Sequence, residues 1–256
     1  MVWNSERTRF FKLALLAPVL LMIFSAALNA QQKYEIKSSK YSESTKIYEI
    51  EIEYPEMIPP KDALMGVRGM VGDFNLPIKA IVDNRAAEFK KAVKDFRSPD
   101  DKYRSTLGIG CDKFLDNQYI FSVKFSGYSD PEHAAHPIGL VDCVNFCYDR
   151  WDVFYLSDIF LKDKPFVKYI SGYCIKNLKD TAKANDESYD ADIEKGASAD
   201  SNNFKIFNIS NENLVITFPE YQVAPRMLGA PVVEIPISNL ADMIDPNGPL
   251  GYVVKK

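Results

Sequence analysis

The chain has 256 residues, of which 46% are hydrophobic, and its 31 basic and 35 acidic side chains give a formal net charge of −4. This length allows one large domain or two small ones, with enough apolar residues for an ample core. The acidic balance and the lack of a clustered basic stripe argue against nucleic acid or anionic lipid as the main partner. Both of those partners are bound by grouped Lys and Arg side chains.

The first thirty residues have the pattern of a secretory signal peptide. Arg7, Arg9 and Lys12 precede sixteen uncharged, mostly apolar residues at positions 13–28, and Ala30 offers a small residue for cleavage. A helix of this length covers about 24 Å, short of a roughly 30 Å hydrocarbon core, so a membrane anchor is the weaker interpretation. We therefore predict a periplasmic or secreted protein that is cleaved near Ala30. It contacts the membrane only if the segment stays uncleaved.

Cleavage also changes the charge balance of the chain. Residues 1–30 hold three basic and one acidic side chain, so the remaining 226 residues carry 28 basic and 34 acidic groups and a formal charge of −6.

Four cysteines enter this export pathway: Cys111, Cys143, Cys147 and Cys174. An even number of cysteines in an oxidising compartment predicts disulfides. Cys143 and Cys147 lie in a predicted strand, where four residues span about 13 Å, too far for a bridge, a CxxC redox centre or a zinc knuckle. We predict that Cys111 bonds to one of this pair and Cys174 to the other. Buried free thiols are the alternative.

The segment after the leader begins with an alternating strand and a helix. In Lys46–Tyr54, tyrosine and isoleucine alternate with glutamate, which is typical of a half-solvated antiparallel strand that Pro55 should end. Asn75 then fits a helix N-cap, with Pro77 in the first turn. The residues that recur at helical spacing after it are Ile78, Ile81, Val82, Ala86, Phe89, Val93 and Phe96.

Strands and a second helix follow. The segments 105–114 and 118–125 alternate in polarity and are joined by a short Asp-Asn connection, which predicts a hairpin. Strands are also predicted at 138–148 and 152–155, and a short helical turn at 156–160. A longer helix should begin near Pro165 and present one apolar side, and residues 180–203 should form a solvated helix end and loop. That apolar side consists of Phe166, Val167, Ile170, Cys174 and Leu178.

The carboxyl-terminal part is organised around residues 214–240. A four-residue turn at 210–213 joins strand 204–209 to strand 214–218. Three prolines, Pro219, Pro225 and Pro231, deny the next stretch a regular ladder, and a β-branched run follows at 232–236. We predict a strand, an ordered proline-rich crossover and a second strand that returns to the same sheet. We predict a short helix that begins at Ser238 after this strand.

Both histidines of the chain, His133 and His136, lie in one loop, Asp130–Pro137. Their spacing resembles the zinc-binding stretch of carbohydrate deacetylases, but that family has three residues between its histidines and here there are two. A metal would need Asp130, Glu132 or Asp142 as a further ligand, and no Gly-x-Ser-x-Gly nucleophile motif or phosphate-binding glycine loop is present. We therefore predict no metal, no cofactor and no catalytic residue. Hydrogen-bonded structural histidines are the expected alternative.

The mature chain resembles a known extracytoplasmic domain pair of unknown function, the RsiV-like pair. That pair occurs in a bacterial anti-sigma protein that is a lysozyme receptor and in the non-catalytic part of the peptidoglycan deacetylase PdaC. The resemblance rests on short stretches in a shared order. They are Glu53-Tyr54-Pro55, Ala135-His136-Pro137, Leu156-Ser157-Asp158-Ile159-Phe160, Tyr221-Gln222-Val223-Ala224-Pro225, Gly229-Ala230-Pro231 and Val233-Glu234-Ile235-Pro236.

The resemblance and the element pattern together predict an α+β fold that is rich in hairpins, with antiparallel sheets and helices packed on one face. We expect a signal peptide at 1–30, an amino-terminal α+β subdomain at 31–104 and an RsiV-like carboxyl-terminal domain at 105–256. The resemblance implies an envelope binding module without enzymatic activity that recognises a protein, such as a lysozyme-like muramidase, or a cell-wall glycan. The alternative is a cell-wall polysaccharide hydrolase or deacetylase. Candidate binding residues are His133, His136, Tyr221 and Arg226.

Overall fold

The computed structural model describes residues 34–96, 103–132, 134–185 and 188–254. Within these ranges the chain forms a six-stranded sheet, a three-stranded sheet and several helices, which confirms the predicted α+β class. No helix in these ranges combines the length and the apolar content needed to cross a bilayer. The predicted signal peptide lies outside the described residues.

The six-stranded sheet has its strands in the same order in space as in the chain. Neighbouring strands pair antiparallel except β2 and β3, which are parallel, because the chain crosses over through helix α1 (Met65–Phe96) between them. This one pair differs from the predicted all-antiparallel arrangement. The strands are β1 (Glu35–Ser44), β2 (Tyr48–Ile58), β3 (Ser105–Asp116), β4 (Ile120–Asp130), β5 (Ile138–Cys147) and β6 (Asp152–Val153).

Helix α1 begins ten residues before the predicted N-cap, so that prediction was wrong. Pro77 lies inside the helix, and the Asn75 side chain has another role. Its amide oxygen accepts a hydrogen bond from the Met57 N–H at 2.8 Å, and its amide nitrogen donates to the Met57 carbonyl at 2.9 Å. Pairing of β2 with β3 stops at Ile52, so Asn75 satisfies peptide groups on the free edge of β2. The same free edge lets β2 continue through Pro55, against the prediction.

The first hydrophobic core lies between α1 and the six-stranded sheet. Phe74 of α1 is 1% exposed and meets Phe121 and Phe146 edge to face, with ring centroids 5.2 Å and 5.1 Å apart. Beside this core, the guanidinium of Arg85 makes two hydrogen bonds of 2.7 Å and 2.9 Å to the carboxylate of Asp142 on β5. This bidentate contact raises the pKa of Arg85 and fixes α1 against the sheet.

The three-stranded antiparallel sheet consists of β7 (Phe207–Ile209), β8 (Asn213–Thr217) and β9 (Val232–Pro236). The predicted hairpin and the returning strand are therefore confirmed. Helix α2 (Phe166–Ala184) buries Ile170, Cys174 and Leu178 in the second core, on the side that the sequence predicts. A short helix α4 (Gly251–Val254) ends the described chain.

The stretch predicted as a solvated loop at 180–203 contains structure. A helix α3 (Asp190–Gly196) buries Ile193, and a 3-10 turn (Ser201–Phe204) buries Phe204. Because only a few apolar residues of this charged stretch reach the core, the composition gave little indication of these elements.

A buried polar network joins the two sheets. The Ser122 hydroxyl of β4 donates to Asn145 Oδ1 of β5 at 2.7 Å, and Asn145 Nδ2 donates to the Phe207 carbonyl of β7 at 2.8 Å. Asn208 Nδ2 and the Ile209 N–H both donate to Ser122 Oγ at 3.0 Å. The domain boundary predicted at residue 104 falls between α1 and β3, which share the first core. It stays a prediction.

Candidate ligand-binding site

The proline-rich segment between β8 and β9, residues 218–231, is the crossover that the sequence predicts. Its two ends meet where the Phe218 N–H donates to the Pro231 carbonyl at 2.8 Å. Gln222 Nε2 donates to the carbonyls of Gly196 at 2.8 Å and Asn203 at 2.9 Å. These bonds hold the β8–β9 crossover as an ordered loop, although it has no ladder of its own.

Glu220 fixes the other side of the β8–β9 crossover to strand β5. Its carboxylate accepts a hydrogen bond from the Gly139 N–H at 3.2 Å and lies 3.5 Å from Arg226 Nε. A Cβ atom at Gly139 would lie 2.3 Å from Glu220 Oε1, so only glycine leaves room for this carboxylate. The Glu220 side chain is 11% exposed, and it is a site residue that the sequence pattern did not indicate.

The structure brings together three of the four candidate binding residues. The Tyr221 hydroxyl lies 3.2 Å from His136 Nε2, and Arg226 Nη2 donates to the Pro137 carbonyl at 2.7 Å. His133 lies outside the described residues. Tyr221 has a φ of 67°, in the left-handed region that costs a non-glycine residue about 1–3 kcal/mol. Backbone strain of this kind concentrates at functional sites, and the side chain that it presents is 61% exposed.

A pocket of about 230 Å³ opens between this crossover and the adjoining face of β4 and β5. Lys124, Ser126 and Tyr128 alternate along β4 and therefore point to the same side of the sheet. This period-two pattern was readable in the sequence, but its meeting with the crossover was not. The lining residues are Lys124, Ser126, Gly127, Tyr128, Gly139, Leu140, Val141, Thr217, Glu220, Gly229 and Ala230.

Large apolar side chains are exposed on the segments that form the pocket. Met227 is 87% exposed and Leu228, the next residue, is also exposed. Tyr128 and Ile138 are exposed on β4 and β5, which form the opposite wall. We call the set Tyr128, Ile138, Tyr221, Met227 and Leu228 the rim. Exposed apolar and aromatic groups gathered around a pocket are typical of an interaction surface.

The described residues contain no group of three or more His, Cys, Asp or Glu side chains placed to hold a metal ion. Asp142, considered above as a metal ligand, is bound by Arg85 instead. His136 has its Nδ1 atom 3.1 Å from the Pro137 carbonyl and its Nε2 atom beside Tyr221. Hydrogen bonds thus occupy both ring nitrogens of this histidine.

All four cysteines are free thiols in the structure. Cys111 of β3 pairs with Phe125 of β4, which pairs with Asp142 of β5, so a whole strand separates Cys111 from Cys143. Two strand spacings are about 9.6 Å, beyond the roughly 7 Å between Cα atoms that a disulfide tolerates. Cys147 lies further along β5. This register is incompatible with the predicted bond from Cys111 to Cys143 or to Cys147. Cys147 and Cys174, in contrast, are buried in the same core.

We expect Cys111, Cys143 and Cys174 to react slowly with iodoacetamide in the native protein at pH 7.5. Burial raises the pKa of Cys143 to about 11 and that of Cys174 to about 12, and it also raises the pKa of Cys111. Few thiolates are therefore present at neutral pH, and the thiolate is the reactive form. Intact mass measures the labelling. In guanidinium without reductant all four thiols should be alkylated; a pair that reacts only after reduction would show a disulfide.

Comparison with known proteins places part of this chain in context. Residues 157–238 match the model of DUF3298, a family described as proteins of unknown function. The matched stretch contains α2, α3, the three-stranded sheet and the whole pocket-forming crossover, including Tyr221 and Arg226. It does not include the His136 segment. No curated protein matches the chain.

Two solved structures are similar to the chain. A crystal structure of a DUF3298 family member from Bacteroides fragilis aligns with a TM-score of 0.56 and 13% identity, over 87% of this chain and 97% of its own. A DUF3298 family protein from Pseudomonas aeruginosa aligns with a TM-score of 0.49 and 15% identity, over 84% and 94% of the two chains. The first similarity supports a shared fold over most of the chain and says nothing about a ligand.

Proposed function

We propose that the protein is an exported binding module without enzymatic activity, and that the rim is the surface that contacts its ligand. The observation that carries this proposal is the meeting of two distant segments, 136–139 and 218–231, in an ordered, partly strained arrangement with exposed aromatic and apolar side chains. A surface that served only solubility would need neither the strain at Tyr221 nor the exposure of Met227.

The chemistry of the rim and of the neighbouring Arg226 favours binding. Tyrosine, methionine and arginine are enriched in the cores of protein interfaces, where each buries a large area. Tyr221 is held by His136, and Arg226 is held by both Pro137 and Glu220, so little side-chain freedom remains to be lost when a ligand arrives. Preorganised anchors of this kind increase affinity without further contacts.

The ligand classes follow from the predicted export and the RsiV-like resemblance. A protein that crosses the inner membrane by a signal peptide meets cell-wall glycan and the enzymes that cleave it. We therefore propose a lysozyme-like muramidase or a cell-wall glycan as the ligand. The net negative charge of the chain beyond residue 30 suits a basic protein partner through long-range attraction.

Isothermal titration of residues 31–256 against hen lysozyme and against soluble muropeptides tests the proposal. We expect saturable binding to at least one of them and a loss of about tenfold or more in affinity for the double variant Tyr221→Ala, Met227→Ala, because central interface anchors contribute at least that much. Tyr155→Ala is the matched control, since Tyr155 is an exposed tyrosine outside the rim.

Two results would contradict the proposal. Absence of heat with both ligands would remove the binding function as stated. Turnover of muropeptides that disappears in His136→Ala would show an enzyme and revive the hydrolase or deacetylase alternative.

A further inference from the structure

A second group of exposed apolar side chains lies at the beginning of α1, away from the rim. Met65, the first residue of the helix, is 88% exposed, and Leu64 just before it is 78% exposed. Met70 and Leu76, further along the helix, are exposed as well. We call these four residues the apolar end of α1. The outward side of a helix that packs on a sheet is normally polar, so leucine and methionine gathered there indicate a contact surface.

The described chain begins at this same end of the molecule. Strand β1 starts at Glu35, which pairs with Ile58 at the end of β2, and α1 follows soon after β2. The ring of Tyr34 packs edge to face on Trp151, with centroids 5.6 Å apart, and Trp151 Nε1 donates to the Met70 carbonyl at 2.7 Å. One side chain therefore joins the start of the described chain to the apolar end of α1.

The predicted leader ends a short distance before Tyr34. Its sixteen uncharged residues, 13–28, lie outside the described residues, and only residues 29–33 separate them from Tyr34. A fully extended connection of this length spans about 20 Å. In a molecule whose leader is still in the bilayer, Tyr34 is therefore held within about 20 Å of the hydrocarbon core, and the apolar end of α1 lies beside it.

The size and the charge of the apolar end favour lipid over a second copy of the chain. Four side chains expose roughly a few hundred Å², whereas a stable protein interface buries about 800 Å² on each partner. Exposed charges of both signs surround the apolar end, namely Lys61, Asp62, Arg68 and Asp73. An uncharged lipid surface suits this mixture, since apolar side chains enter the headgroup region without a need for ionic attraction.

The rim lies at the opposite end of the six-stranded sheet. Strand β5 begins at Ile138, which pairs with Ser129 near the end of β4, and β4 ends beside Thr106 at the start of β3. Strand β3 in turn begins beside Tyr48 at the start of β2, whereas the apolar end of α1 lies near the end of β2. The 11 residues of β2 place the two ends roughly 33 Å apart.

We propose that the apolar end of α1 docks onto the surface of the lipid bilayer in molecules that retain the leader. The protein then stands on the membrane with its rim directed away from it. Leu64 and Met65 enter the headgroup region, and the short connection to the leader raises their effective concentration there. This contact goes beyond the proposed binding function and does not depend on which ligand the rim binds.

Photo-crosslinking of the full chain in phosphatidylcholine vesicles tests this orientation. Benzoylphenylalanine replaces Met65 in one variant and Met227 of the rim in the other, and intact mass first shows that residues 1–30 are present. The two methionines are matched, since they are 88% and 87% exposed. After irradiation we expect about tenfold or more lipid adduct at position 65 than at position 227, because the short tether concentrates only the end beside Tyr34 at the bilayer.

Four other results would overturn this inference. Equal lipid adducts at both positions would show no preferred orientation, and no lipid adduct at position 65 would place the apolar end away from the bilayer. An adduct of position 65 to a second chain would make the apolar end a dimer interface, and an adduct to residues 13–28 would show that the leader itself covers it. Because vesicle contact and ligand titration are separate measurements, failure of either proposal leaves the other standing.

Discussion

Phe74→Ala is expected to lower the free energy of unfolding by about 3–5 kcal/mol, the usual cost of removing a fully buried phenylalanine. Phe74 is 1% exposed and lies between Phe121 of β4 and Phe146 of β5, with a third aromatic ring, Tyr148, stacked 6.4 Å away. The alanine would lose these contacts and leave a cavity between α1 and the sheet, because neighbouring β-strands cannot collapse into it freely.

Urea denaturation followed by tryptophan fluorescence measures the loss. Leu76→Ala is the matched control: it lies two residues further along the same helix, but its side chain is 70% exposed. We expect the control to change stability by less than about 0.5 kcal/mol. Equal midpoints for the two variants would show that α1 does not pack on the sheet through Phe74.

Asn145→Leu should cost about 2–5 kcal/mol, although leucine is similar in size and more apolar. The substitution removes the acceptor of the Ser122 hydroxyl and the donor to the Phe207 carbonyl, both of which lie in the buried joint between the sheets. Each buried polar group left unpaired costs about 1–3 kcal/mol. The loss should be cooperative, since Ser122 also accepts from Asn208 and Ile209.

The same denaturation experiment applies to Asn145→Leu, with Asn84→Leu on the exposed face of α1 as its control. Because the network joins the two sheets, we also expect Asn145→Leu to accelerate amide hydrogen exchange in β7 more than it does in α1. A variant as stable as the parent, with unchanged exchange, would mean that the sheets are held together by apolar contacts alone.

The candidate site depends on this joint. The crossover belongs to the three-stranded sheet, whereas His136 and Gly139 belong to the six-stranded sheet and its loop, so the relative position of the sheets sets the Tyr221–His136 and Glu220–Gly139 contacts. Weakening the joint should therefore weaken ligand binding even though Asn145 does not line the pocket.

Local sequence pattern was sufficient where an element buries one regular face. The β3–β4 hairpin follows from period-two alternation, and α2 follows from apolar residues at helical spacing that end on Cys174 and Leu178. The three-stranded sheet was predictable for the same reason, since β8 and β9 are β-branched runs divided by prolines that cannot continue a ladder.

Local sequence pattern did not predict an element correctly where a distant part of the chain supplies the stabilising contact. Strand β1 is polar along most of its length and exists because β2 offers it a ten-residue register. Helix α1 starts at Met65 despite three glycines among its first eight residues. Asn75 resembles a helix cap in the sequence, because its actual partner, Met57, lies eighteen positions away and is not visible in the local pattern. Single-residue propensity is too weak to compete with such contacts.

The amino-acid sequence by itself determined the α+β class, most strands and the ordered crossover, and it suggested Tyr221, Arg226 and His136 as candidate binding residues. Tertiary structure alone decided that these three lie together and that Glu220 rests against Gly139. The physical reason is separation along the chain. Periodicity within one element predicts only which face of that element is buried. A site whose members lie about eighty residues apart is created only when two sheets pack in one register.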